Sequence, residues 1–213
     1  MMRKLLSIVQ LAGFYGLFLF FGPSELYLRP HLYLLFVIGS LGIGFQPGFT
    51  SFDWGTTKDK GTAAQIVWSI QLSQMAALLE SVTIRYPEAF GWSMINSAAL
   101  ACMIIGLFIR TSAVMHLGSA FTWHIAPEAA KTLKTDGIYR FCRHPSYVGA
   151  FALYMGAILF IHAYYSAIGA LVLFVTAFFR RIKWEEIALR EHFGTAYDEY
   201  ASRVGRCTPF RWL

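Results

Sequence analysis

The chain has 213 residues, 56% hydrophobic, 17% aromatic and only 14% charged, with a mean hydropathy of +0.49. A soluble globular domain carries roughly a quarter of its residues as charges, so this composition excludes an ordinary soluble enzyme and indicates a membrane protein. The net charge of +6 would suit nucleic acid or anionic lipid if the cations clustered, and Cys102, Cys142 and Cys207 are too widely spaced for a disulfide framework or a metal-ligand pair.

The first apolar run, residues 5 to 21, follows Arg3 and Lys4 and leads through Gly22-Pro23-Ser24 into more membrane-like sequence. A signal peptide would show a shorter core and a small-residue cleavage site, so the run reads as a retained helix. A second run, 31 to 47, ends at Gln46 and Pro47. A third, 63 to 81, is interrupted by Gln65, Gln71, Ser73 and Gln74, and a fourth spans 90 to 115 with Arg110 near its end. The last stretch, Tyr147 to Phe179, is too long for one crossing of ~30 Å at ~1.5 Å per residue and must fold back near His162 to Ser166.

With the amino terminus in the cytoplasm, the inner segments carry Arg3, Lys4, Lys58, Lys60, Lys131, Lys134, Arg140, Arg143 and the basic residues from Arg180 to Arg211, against Arg29 and Arg85 outside. That positive-inside bias predicts an all-α polytopic integral membrane protein of about six passes with both termini cytoplasmic. It also accounts for the net charge without a nucleic-acid partner. The stretches 48 to 62, 116 to 146 and 181 to 213 hold most of the polar residues. The expected division is transmembrane helices over 1–115 and a functional core over 116–213 within a single structural domain, with chemistry on the cytoplasmic face.

Two segments can carry chemistry. In KTLKTDGIYRFCRHPSYVG, residues 131 to 149, Thr135-Asp136-Gly137 signals a turn, and His144 before Pro145 must leave the helical region. A helix then starts with Ser146 and Tyr147, where free N–H groups beside Arg143 and His144 suit an anionic or polar ligand group. The plainer alternative is an interfacial connector with snorkelling Arg and His. In FFRRIKWEEIAL, residues 178 to 189, Arg181 and Glu185 share a helix face. Glu185 and Glu186 suit a cationic ligand and Arg181 an anionic one, unless this is a solvated helix with an intrahelical ion pair. The hairpin between the segments returns to its own side, so His144 and Glu185 are expected on one membrane face. The tail, 189 to 210, repeats Phe193, Tyr197, Tyr200 and Val204 at helical spacing and reads as an amphipathic helix that Gly194 breaks or caps.

GIYRFCRHPSYVG, followed by RIKWEEIALREHFGTAYDEYASRVG and a terminal Pro-Phe, resembles the isoprenylcysteine carboxyl methyltransferase family. Upstream, GSAFTWHI resembles the family's small-Asn-Phe-x-His segment, with Ala120 where Asn is usual and the His displaced to His124. The resemblance runs from about residue 116 to the end. It implies methyl transfer from S-adenosylmethionine to the C-terminal carboxylate of a farnesylated or geranylgeranylated cysteine protein or peptide, at the cytosolic face of the endoplasmic reticulum or, in a prokaryote, of the plasma membrane. Carried over by position, Lys131, Thr132, Leu133, Lys134, Tyr139, His144, Pro145, Ser146, Tyr147 and Glu185 would contact the cofactor, and Arg181 would face the substrate. The family's Gln after the Phe-x-His segment has no counterpart, and Lys131 stands where animal members carry His.

Such a displacement needs no general base, because a carboxylate is already ionised at neutral pH. The work is alignment and removal of water. Arg181 is expected to orient the acceptor by a planar two-pronged contact, and Glu185, counted with it as catalytic, to pair with the cofactor's ammonium. The lipid would enter between helices, beside the fourth helix and the hairpin, where Arg110 and His116 either line the opening or, the favoured reading, serve as interfacial anchors. No metal is implied. The rival readings are another lipid-soluble acceptor, such as a phospholipid amine, a quinol or a small isoprenoid, and a non-enzymatic scaffold or transporter.

Overall fold

The computed structural model describes residues 2–46 and 57–207. Pro47, most of the first polar stretch and the terminal Pro209-Phe210 lie outside the described residues. The described residues fold without a strand into helices α1 (Met2–Phe21), α2 (Pro30–Gly44), α3 (Thr62–Thr83), α4 (Met94–Leu117), α5 (Pro145–Phe160), α6 (Tyr164–Phe193) and α7 (Thr195–Arg203). Three helical stretches, Lys4–Phe21, Met94–Ala120 and Tyr164–Phe193, are long and apolar enough to cross a membrane, and α2 and α5 are shorter apolar helices. The chain is thus a polytopic membrane protein, each apolar run lying on a helix or, for the last, on a hairpin.

Local chemistry sets the boundaries. Pro30 and Pro145 occupy the first positions of α2 and α5, where a missing N–H costs nothing. Ser93 caps α4 through a capping box with Asn96, whose Oδ1 accepts from Ser93 N at 2.6 Å. The hairpin turns over Ile161–Ala163, and the start of α6 is closed by Glu80 of α3, which accepts from Tyr165 N at 3.1 Å and Ser166 N at 2.7 Å. A carboxylate there satisfies orphan donors and complements the helix dipole. Two of the polar interruptions of α3 pair with the hairpin: Gln65 accepts from Arg180 at 2.6 Å and Gln74 donates to Tyr154 O at 3.2 Å.

The closest helix contact joins α4 to α5. A Cβ at Gly149 would lie 2.5 Å from Arg110 N and 2.7 Å from Gly106 O, and one at Gly106 would lie 2.5 Å from Leu153 N. Backbone meets backbone there, as in membrane interfaces built on small residues.

The tail departs from expectation. Residues 189–193 continue α6, whose 30 residues span about 45 Å and so outrun a ~30 Å hydrocarbon layer. Gly194, at φ 55°, ends it in a conformation that favours glycine, and the expected amphipathic helix shrinks to the nine residues of α7. Tyr197 and Tyr200 are buried, while Asp198 and Glu199 face solvent.

Candidate active site

One cavity of about 590 Å³ runs through the bundle. Its polar end is lined by Thr132, Leu133, Lys134, Tyr139, His144, Ser146, Tyr147, Arg181 and Glu185; its apolar end lies among Leu11 and Phe14 of α1, Leu35 and Ile38 of α2, and Ile66 and Ile70 of α3. Of the residues carried over by resemblance, the structure brings these nine to one wall and leaves Lys131 and Pro145 off it. Besides the residues of α1–α3, Met103 of α4, Leu153 and Ala157 of α5 and Phe178 of α6 also line the cavity.

Three buried guanidinium groups organise the polar end. Arg143 donates through Nε at 3.0 Å and Nη2 at 2.6 Å to Glu186, and through Nη1 to the carbonyls of Ala201 and Val204. Glu186 also accepts from Arg206 Nε at 3.0 Å and lies 3.4 Å from His144 Nε2. Backbone bonds run alongside, Arg143 N to Gly205 O and His144 N to Arg206 O, both 3.0 Å. The second acid of the pair is therefore a buried clasp that ties the Arg-His-Pro loop to the segment after α7. Glu185 behaves differently: its side chain is 30% exposed against 2% for Glu186, it lines the cavity, and it accepts from Tyr147 OH at 2.6 Å.

Arg181 is not free to clamp a carboxylate by a two-pronged contact. Its Nη1 pairs with the buried carboxylate of Asp59 and reaches Thr62 Oγ1 at 3.1 Å, Nη2 donates to Trp123 O at 2.7 Å, and Nε to Tyr147 OH at 3.2 Å. Four of its five N–H groups are committed. Asp59 also accepts from Ile125 N at 2.8 Å and lies 2.7 Å from His124 Nδ1. Arg181 and Glu185 thus communicate through Tyr147 rather than as an intrahelical ion pair.

The third guanidinium decides between two expectations. Arg110, taken as an interfacial anchor, is 5% exposed and lines the cavity. It donates to Gln46 Oε1 from Nε at 3.1 Å and Nη2 at 2.7 Å, and from Nη1 to Ser146 O and Oγ, both at 3.1 Å. The Trp123 ring lies 5.6 Å from its guanidinium. Among the described residues no carboxylate pairs with it. His116 lies off the cavity wall and pairs with Asp136 at 2.9 Å, a hydrogen bond that holds the Asp136 carboxyl below its usual value. The ring also sits 2.6 Å from where a Cβ on Gly137 would be, at φ 56°, so this turn needs glycine twice over.

Asp59 and Gln46 are the contributions that the sequence reading missed, while Glu186, read there as half of a ligand-binding acid pair, holds Arg143 and Arg206 instead. Asp59 stands between Lys58 and Lys60, which read as orientation charges, and the signal that marks it is its sign amid cations.

Burial pushes the Cys142 thiol up to about 11, and its Sγ donates to Arg206 O at 3.1 Å. At pH 7 its thiolate is on the order of 100-fold scarcer than that of an unburied thiol. Maleimide labelling followed by peptide mapping is expected to leave Cys142 unmodified at pH 7, with the rate rising about tenfold per pH unit until the thiol ionises. Modification as fast as in denatured protein would contradict this environment.

Comparison with known proteins agrees with this architecture. Residues 99–191 match the model of the isoprenylcysteine carboxyl methyltransferase family. A probable protein-S-isoprenylcysteine O-methyltransferase of Oryza sativa subsp. japonica is 34% identical over 155 residues, 70% of this chain and 81% of the rice protein. The protein-S-isoprenylcysteine O-methyltransferase of Schizosaccharomyces pombe is 32% identical over 59% of this chain and 56% of its own length. That of Rattus norvegicus is 36% identical over 60% and 45%. The solved structure of a eukaryotic intramembrane Ras methyltransferase of the same name superposes with a TM-score of 0.56 at 21% identity, covering 98% of this chain and 86% of that one, so the fold is shared. With four-fifths of the rice relative matched at a third identity, this chain belongs to the isoprenylcysteine carboxyl methyltransferase family and is a membrane methyltransferase.

Proposed function

We propose that the chain transfers a methyl group from S-adenosylmethionine to the C-terminal carboxylate of a farnesylated or geranylgeranylated cysteine at the cytosolic face of its membrane. The observation that carries this reading is the single cavity joining a polar end, rich in hydrogen-bonding groups, to an apolar end among α1, α2 and α3. A polar cytosolic donor and a lipid-borne acceptor need such a site, because each partitions into a different phase. The cations of the inner loops orient that polar end to the cytosol.

The donor set fits the cofactor. Glu185 offers a carboxylate to its ammonium, Lys134 a cation to its carboxylate, and Thr132, Ser146 and Tyr139 offer hydroxyls. Burial raises the pKa of the Tyr139 phenol, so that hydroxyl keeps its proton. When bound, S-adenosylmethionine supplies the electrophilic methyl. The chain's own residues hold the acceptor in line and exclude water, which otherwise damps a carboxylate's nucleophilicity. Arg181, neutralised by Asp59, holds Tyr147 and the Trp123 carbonyl in place. Arg110, whose charge no described carboxylate cancels, attracts the acceptor's carboxylate. An anion beside an otherwise uncompensated buried cation relieves a large desolvation penalty. An amine acceptor gains nothing there.

The test is direct. Purified protein in lipid nanodiscs, given labelled S-adenosylmethionine with farnesyl-cysteine, geranylgeranyl-cysteine or phosphatidylethanolamine, is expected to place label in a base-labile methyl ester of a prenylcysteine. Label in the headgroup amine would overturn the reading.

A further inference from the structure

Three buried guanidinium groups border the same cavity, and their partners differ in one respect. Arg143 faces Glu186 and Arg181 faces Asp59, both carboxylates. Arg110 is held by the same fork contact as Arg143, Nε and Nη2 onto a single side chain, but that side chain is Gln46, an amide. Gln46 is 6% exposed, and its Nε2 donates to Gly42 O at 2.7 Å. This bond orients the amide so that Oε1 faces the guanidinium; a flipped amide would set donor against donor. The remaining contacts of Arg110, Ser146 O and Oγ, are also neutral.

A glutamate there would accept the same two bonds from Arg110 and cancel the charge, at the loss of the bond to Gly42 O. An amide fixes the fork and leaves the charge intact. We infer that Gln46 is a specificity-determining positioning residue: it pre-orients Arg110 without neutralising it, so that the acceptor end of the cavity selects a carboxylate over a neutral group of the same shape. The inference rests on the proposed carboxylate acceptor and extends it to a residue of α2's C-terminal end, far from the motifs that identify the family. One N–H of Arg110 Nη2 remains uncommitted among the described residues, as the contact with an incoming oxygen requires. In a cavity walled by apolar helices the full charge of the guanidinium acts at low dielectric, and the discrimination between acid and amide is correspondingly large.

The experiment compares farnesyl-cysteine with its carboxamide, which differs only in charge at the acceptor end. Calorimetry is done on wild-type protein and Gln46→Glu, each loaded with S-adenosylhomocysteine. Wild type is expected to bind the acid at least 100-fold more tightly than the amide. In Gln46→Glu the acid should weaken by 100-fold or more while the amide and S-adenosylhomocysteine stay within threefold. An unchanged acid preference in the variant, or equal weakening of acid and amide, would overturn the role. Should Gln46→Glu fail to fold, the wild-type comparison still decides, since equal binding of acid and amide, or of neither, removes the anion selectivity. An acid preference in wild type without methyl transfer in the nanodisc assay would sink the proposed reaction and leave the anion site standing.

Discussion

Replacing Glu186 by alanine is expected to unfold the polar end of the protein, whereas the same change at its neighbour Glu185 should leave the fold intact and remove cofactor affinity. Glu186 is 2% exposed and holds Arg143, whose side chain is 8% exposed, by two hydrogen bonds. Its removal strands a buried guanidinium, which costs about 3–5 kcal/mol. For a chain of this size that lowers the melting temperature by roughly 6–20 °C. Glu185 is partly exposed and gives up one described hydrogen bond, from Tyr147. A charge-assisted contact with the cofactor is worth about 1.5–3 kcal/mol, so Glu185→Ala should weaken S-adenosylhomocysteine binding by about 10- to 100-fold. Melting curves and calorimetry on the two variants separate the roles. Unchanged cofactor affinity in Glu185→Ala, or a wild-type melting temperature in Glu186→Ala, would contradict the division.

The glycine seam supplies the second large effect. In Gly149→Val the new Cβ falls 2.5 Å from Arg110 N and 2.7 Å from Gly106 O. Backbone atoms cannot rotate away, so α4 and α5 must separate. Overpacking typically costs about 1–3 kcal/mol where side chains can yield, and more is expected here. Because the displaced atoms belong to Arg110, and Gly149 lies one turn along α5 from Ser146, acceptor binding should fall together with stability. Gly16→Ala is the control: nothing lies within 4 Å of a Cβ there, and alanine improves helix propensity. A melting temperature for Gly149→Val within 2 °C of wild type would show the seam to be looser than drawn.

Much of the architecture was legible in the sequence. The runs at 5–21 and 63–81 lie inside α1 and α3, the run at 31–47 begins with α2, and the long last stretch turns at Ile161–Ala163, inside or beside the expected window. In the tail the break at Gly194 was expected and is found, at φ 55°. What differed is that residues 189–193 continue α6, because Phe193, Tyr197 and Tyr200 keep helical spacing across the break and periodicity does not say which helix a residue belongs to. The Arg-His-Pro loop and α6 were expected on one face, and Tyr147 and Glu185 meet there at 2.6 Å. What escaped was the partner of each charge. Arg110 looked like an anchor because Arg near a helix end commonly snorkels, and its true contacts, Gln46 and Ser146, lie 64 and 36 residues away.

The sequence by itself determined that the chain is a membrane protein, where its helices run and which segment carries the methyltransferase motifs. These follow from hydropathy summed over about 20 neighbouring residues and from short motifs, both local properties of a chain. Only the tertiary structure decided which buried cations are cancelled, Arg181 by Asp59 122 residues away and Arg143 by Glu186 43 residues away, and which one, on Gln46, keeps its charge. Neutralisation depends on contact at ~3 Å in a medium of low dielectric, and no local pattern encodes which distant residue supplies it.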